Sequence, residues 1–116
     1  HALLGTGGPK SSSKFKNEIF LEFVEVSKNI DTPIRKYGSA SLDLASVACG
    51  RFDGFWQREL SYWDIAAGIV IIKEAGGFID YFEGKAKESK KMNLVASNSL
   101  IHKELMDLIK KNIEKN

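Results

Sequence analysis

The stretch that decides the fold is Ser61-Tyr62-Trp63-Asp64-Ile65-Ala66-Ala67-Gly68-Ile69-Val70-Ile71-Ile72-Lys73-Glu74-Ala75-Gly76-Gly77. From Trp63 to Ala75 it reads as the most apolar helix of the chain, closed by the Gly76-Gly77 pair. Ile65, Ala66, Ala67, Ile69, Val70, Ile71 and Ile72 cover nearly its whole circumference, so the expectation is a helix buried on all sides. Ser61 and Asp64 fit a capping box, with Asp64 closing the first turn and complementing the helix dipole. A metal ligand is the other reading of the same carboxylate, and spacing alone favours the cap.

On the N-terminal side, Phe52 to Gln57 reads as a strand, with Phe52, Gly54 and Trp56 on one face and Asp53, Phe55 and Gln57 on the other. Ser39 to Cys49 reads as a helix with Ser39 as N-cap and Gly50 as the C′ residue, and with Leu42, Ala45 and Cys49 on its buried side. Ile34 to Gly38 is a short strand leading into it. The Gly38-Ser39-Ala40 step is either a plain turn or a set of N–H groups able to hold an anion or a hydroxyl-rich ligand. Further back, Phe15, Ile19, Phe23 and Val26 share one helical face, with Ser11 to Ser13 as candidate caps, and Asn29 to Pro33 breaks the helix. Residues 1–10 are Gly-rich and read as a loop or domain-junction remnant, leaving 11–116 as the domain. On the C-terminal side, Phe78 to Phe82 and Leu94 to Ala96 read as strands joined by the polar stretch Glu83 to Lys91. Asn98 or Ser99 caps a last helix, which turns Ile101, Leu105, Leu108 and Ile109 inward. Helices interleaved with short strands give an α/β class, a layered α/β sandwich.

Composition narrows the function. At 116 residues the chain is one ordinary domain. With 17 basic and 15 acidic residues, its net charge of +2 gives no argument for a nucleic-acid partner. No apolar run approaches the length of a membrane span, and no leader pattern is visible, so the expected compartment is the cytoplasm. A single cysteine, Cys49, excludes an intramolecular disulfide and reads as a small buried hydrophobe. His102 is the only internal histidine, which argues against a zinc site and against a Cys–His nucleophile. Carboxylates remain. Asp43 has a first-turn reading like that of Asp64, Asp53 reads as a turn or strand-edge residue, and Glu74 reads as either a buried paired acid or a solvated one. Arg35 reads as a surface or interface residue, and Lys85, Lys87, Lys90 and Lys91 as a solvated loop.

Taken together, these segments resemble the inositol monophosphatase family. Trp63-Asp64-Ile65-Ala66-Ala67-Gly68 with Glu74-Ala75-Gly76-Gly77 is similar to the family's second signature. Arg35 to Ala45 and Gly50 to Trp56 match in order and spacing, and the resemblance runs from about Leu3 to the C-terminus. It implies the fold of the C-terminal domain of the inositol monophosphatase and sugar phosphatase group. It also implies a Mg²⁺-dependent phosphatase acting on inositol monophosphate or a related small phosphate monoester. Asp64 is then a metal ligand, and Gly38, Ser39, Ala40 and Gln57 contact the substrate's alcohol half. Gln57 stands where the family usually has a Glu, Ser61-Tyr62 replaces the usual pair before the Trp-Asp, and Gly8 stands where Phe commonly follows Thr-Gly. The family's first-half metal-binding Glu and its D-P-x-D-G-T signature have no counterpart in these residues, so the resemblance covers only the C-terminal domain. With the N-terminal domain missing, no certain catalytic residue is in this half and the expectation is an inactive chain. Histidinol phosphate, fructose bisphosphate and adenosine bisphosphate are alternative substrates, a non-catalytic regulatory interaction module is the alternative role, and a homodimer matches the habit of the family.

Overall fold

A computed structural model describes residues 3–8, 14–30, 32–82, 92–98 and 101–115, with side chains up to 111. In chain order the elements are β1 (Leu4–Thr6), α1 (Lys16–Asn29), β2 (Ile34–Arg35), α2 (Ala40–Ala48), β3 (Gly54–Leu60), α3 (Tyr62–Glu74), β4 (Phe78–Tyr81), β5 (Met92–Ser97) and α4 (Ile101–Lys115). The strands form one mixed sheet in the order β2-β1-β3-β5-β4. β1 is parallel to both neighbours, with Leu4 opposite Ile34 on one side and Gly54 on the other. β5 is antiparallel to β3 and β4.

Alternation along the central strands builds a core on each face of the sheet. Phe55, Leu94 and Ala96 pack against Leu44 and Val47 of α2 and Ile65, Ile69 and Ile72 of α3. Trp56 and Val95, one residue out of step, pack against Val26 of α1 and Leu105, Met106 and Ile109 of α4. The result is three layers: α1 and α4, the sheet, then α2 and α3. The α/β sandwich expected from the sequence is therefore the observed fold.

Several local expectations are corrected. Leu4 to Thr6 lies inside the Gly-rich stretch read as a loop, yet it is a buried strand between two parallel neighbours. Its partners lie about 30 and 50 residues away in sequence, which no local pattern reveals. α2 is rotated relative to its expected face. Asp43, Leu44 and Val47 are buried, whereas Leu42 is 67% exposed and Cys49 is also exposed. α3 buries only Ile65, Gly68, Ile69 and Ile72, leaving Val70 and Ile71 open to solvent, because it packs on the sheet and α2 along one face alone. Asn98 ties the start of α4 to α2 and to the loop before β3, its Nδ2 donating to Val47 O and Phe52 O, both at 3.0 Å. The Ser11 to Ser13, Ser99 and Glu83 to Lys91 readings lie outside the described residues.

Two polar links tie the layers together. Arg58 of β3 donates to Glu22 Oε2 of α1 through Nη2 (2.7 Å) and Nε (3.1 Å), with side-chain exposures of 2% and 1%. His102 of α4 joins β5 and β4, with Nδ1 2.7 Å from Ser97 Oγ and Nε2 2.7 Å from Asp80 Oδ2. A buried ion pair is costly to break from one side, since the remaining charge stays desolvated. Arg58→Met should therefore lower unfolding stability by about 3–5 kcal/mol in urea denaturation, and adding Glu22→Leu should restore much of it. Equal losses in the single and double variants would contradict this account.

Candidate active site

The parallel connections diverge between the neighbouring strands β1 and β2: β1 leads through α1 on one face to β2, and β2 leads through α2 on the other face, past β1, to β3. In open α/β sheets the crevice outside the carboxyl ends of strands at such a point is where ligands bind. Here it is a cleft of about 490 Å³ lined by Gly38, Ser39, Ala40, Ser41, Gln57, Glu59, Leu60, Trp63 and Asp64. Every site residue expected from the sequence (Gly38, Ser39, Ala40, Gln57 and Asp64) lies on this one wall.

Local chemistry explains each placement. Gly38 takes a φ of +83°, a left-handed turn that turns β2 into α2. Ser39 is the N-cap as expected, its Oγ accepting from Leu42 N at 3.3 Å. Gln57 leans over Gly7, the residue after β1: a Cβ there would lie 2.1 Å from Gln57 Oε1, so a side chain at that position would push the Gln57 amide aside. Asp64 sits in the first turn of α3, exposed to solvent. The capping box is not formed. Ser61 Oγ donates instead to the Asp64 carboxylate, at Oδ2 and 3.0 Å, while Asp64 N donates to Ser61 O at 3.1 Å. Ser61 thus steadies the carboxylate rather than capping the helix. Ser41 Oγ donates to the Asp64 carbonyl oxygen, joining the first turns of the two helices.

Ser41, Glu59, Leu60 and Trp63 were not among the expected site residues. Trp63 is 88% exposed beside Asp64, and its place outside the core is visible only once the helix face is known. Of the other carboxylates, Asp53 accepts from Leu3 N at 2.7 Å and anchors β1, while Glu74 is solvated. Arg35 is exposed, with Nη1 donating to the neighbouring carbonyl of Ile34.

The cleft can stabilise negative charge, because α2 and α3 both begin on it with their positive dipole ends. Among the described residues, no group of three or more His, Cys, Asp or Glu converges on a point. A mixed α/β sandwich with such a cleft has the layout of a small-ligand or catalytic α/β domain. Comparison with known proteins narrows this. The sequence profile of the inositol monophosphatase family matches residues 2–116, and the chain belongs to that family. It is 43% identical over 112 residues to an inositol-1-monophosphatase of Rhizobium meliloti, covering 97% of this chain and 42% of that protein. It is 41% identical to the Nus factor SuhB of Pseudomonas aeruginosa, covering 93% of this chain and 40% of that protein. The solved structure of Mycobacterium tuberculosis SuhB matches with a TM-score of 0.81 at 32% identity, covering 96% of this chain and 42% of that one. The chain therefore spans about four tenths of the length of these relatives. None of its helices, among the described residues, is long and apolar enough to cross a membrane.

On α2, outside the lining of the cleft, burial pushes the Asp43 carboxyl from its ordinary 3.8 up to about 6. Its place near the start of α2 favours the charged form, and desolvation outweighs that. A carboxyl raised on folding stabilises the native state below the unfolded pKa, and the benefit is lost as pH rises through about 6. Asp43→Asn should therefore be the more stable form at neutral pH, by up to about 3 kcal/mol, and should match the parent near pH 4. Urea midpoints across that range check it, and an unchanged pH slope in the variant would refute the assignment.

Proposed function

We propose that this chain is the C-terminal part of a Mg²⁺-dependent phosphatase acting on inositol monophosphate or a related small phosphate monoester. The observation that carries the reading is the gathering of Asp64, Gln57 and Gly38 to Ala40 on one cleft wall at the strands' carboxyl ends. Asp64 fits a hard cation: it offers an exposed carboxylate steadied by Ser61, and oxygen donors are what Mg²⁺ prefers. It can supply one ligand of the shell. The other ligands, on this reading, come from the portion of the relatives that this chain does not span. When bound, the cation would polarise the phosphoryl group and neutralise developing charge.

The chain's own residues act on the alcohol side. The Ser39 hydroxyl, which accepts the Leu42 N–H, still has its proton to donate to a substrate oxygen. The Gln57 amide offers a donor and an acceptor without charge. The backbone N–H groups at the start of α2 are further donors for the oxygens of that alcohol. Related proteins leave the alcohol half open, since a Thermotoga maritima relative 40% identical over 93 residues bears the name fructose-1,6-bisphosphatase/inositol-1-monophosphatase. A second reading, a regulatory interaction role, draws on the name Nus factor carried by the Pseudomonas relative and on the open apolar sides of α1 and α3.

The test compares Mg²⁺-dependent phosphate release from inositol 1-phosphate by the full-length protein carrying this chain, its Asp64→Asn variant and the 116-residue chain alone. Asp64→Asn should reduce turnover by a factor of about 10²–10³, as removing one electrostatic contributor to a transition state does, with an unchanged circular dichroism spectrum. The isolated chain should show almost none. Near-normal turnover in Asp64→Asn would remove Asp64 from the mechanism, and Asp64-dependent turnover by the chain alone would show that it needs no further ligands.

A further inference from the structure

β3 is irregular just before it reaches the cleft. Gln57 pairs with Leu94 and Leu60 with Met92, so three steps of β3 advance against two of β5. This is a bulge, and it has a visible consequence. Phe55 and Leu60 lie in the same core although five residues apart, where unbroken alternation would place them on opposite faces. The irregularity centres on Glu59, whose φ is +64°; no other non-glycine residue among the described ones has a positive φ. Glycine takes that conformation without steric cost and is the usual residue of such bulges. Here a side chain is kept there, and Asn93, a buried residue of β5, commits its Oδ1 to the Glu59 N–H at 3.0 Å.

What the bulge delivers is a residue on the cleft wall. Glu59 lines the same cleft as Gln57, Ser39 and Asp64. Gln57 is neutral, so it accepts hydrogen bonds from a hydroxyl-rich ligand without the extra strength that charge gives. We propose that Glu59 is a specificity-determining residue, its carboxylate accepting hydrogen bonds from hydroxyls on the alcohol half of a polyol phosphate. The inference rests on the phosphatase reading and narrows it, through a residue outside the expected site set, to esters whose alcohol carries neighbouring hydroxyls. It also gives the strained backbone a reason, since glycine would serve the bend but could not serve the ligand.

The experiment measures KM and kcat of the full-length protein on two esters, inositol 1-phosphate and p-nitrophenyl phosphate, whose alcohol half has no further hydroxyl. Glu59→Gln and Glu59→Gly are compared with the parent, and Asp64→Asn serves as the control for the reaction itself. The expected result is that both Glu59 variants raise the KM for inositol 1-phosphate about tenfold or more relative to that for p-nitrophenyl phosphate. Their kcat on inositol 1-phosphate should stay within about twofold of the parent, as for an interaction equally strong in ground and transition states. The Tm of Glu59→Gly should be no lower than the parent's, so the change cannot be assigned to unfolding. A KM ratio that stays the same in both variants overturns the proposal while leaving the phosphatase reading intact, provided turnover still depends on Asp64. Turnover on neither ester, or turnover indifferent to Asp64→Asn, overturns the reading and this inference with it.

Discussion

A Cβ placed on Gly68 of α3 would lie 2.7 Å from Leu44 Cδ1 and 2.8 Å from its Cβ. Leu44 is fully buried and belongs to α2, so the missing side chain on one helix is the seat of the other. This close approach fixes how α2 and α3 lie against each other, and through them where both helices begin. Asp64 stands one turn before Gly68, and Ser39 to Ser41 stand at the start of the helix that carries Leu44. Ser41 Oγ then reaches the Asp64 carbonyl. At the far end of α3 a Cβ on Gly77 would lie 2.9 Å from Ser97 O, so the turn into β4 is pressed onto β5 in the same way. In the Trp-Asp-x-Ala-Ala-Gly and Glu-Ala-Gly-Gly stretches, the glycines set how closely α3 and the turn after it approach their neighbours.

The sequence was legible where chemistry is local. Ser39 as N-cap, Gly50 as C′ residue and the Gly76-Gly77 stop each depend on a few adjacent residues, and each is found in place. The gathering of Gly38 to Ala40, Gln57 and Asp64 was legible only through resemblance to a family, because their proximity is made by β3 and by the α2–α3 contact. What failed to show was what depends on a partner far along the chain. β1 is three residues long and has no pattern of its own. Glu22 lies on the helix face that the apolar spacing of Ile19, Phe23 and Val26 marks as inward, yet its burial needs Arg58 across the layer. Ser61 and Asp64 have the spacing of a capping box, but the hydroxyl turns to the carboxylate and not to a backbone N–H.

Apolar periodicity also says which side chains avoid water without saying what covers them. The outward sides of α1 and α3 show this. Phe20, Leu21 and Val24 on α1 and Val70 and Ile71 on α3 are exposed, with Phe78 of β4 exposed as well. These apolar side chains lie on surfaces that the described layers leave uncovered.

Residue type alone would assign chemistry to the wrong place. Ser97, His102 and Asp80 form a hydrogen-bonded line of the same three kinds of side chain that serve nucleophilic catalysis elsewhere. The Asp80 carboxylate can only accept, so in the neutral imidazole Nε2 carries the proton and the Ser97 hydroxyl donates to Nδ1. Ser97 is fully buried at the end of β5, and no substrate carbonyl or phosphoryl group can approach its oxygen. The line holds α4 to β4 and β5, with the Phe78 ring 5.7 Å from that of His102. Asp64 has one ordered hydroxyl partner and an open cleft before it, which is what a group needs if it is to meet a ligand. The contrast rests on exposure and on the direction of each hydrogen bond: the Ser97–His102–Asp80 line is spent within the fold, whereas the exposed Asp64 carboxylate lines the cleft where α2 and α3 begin.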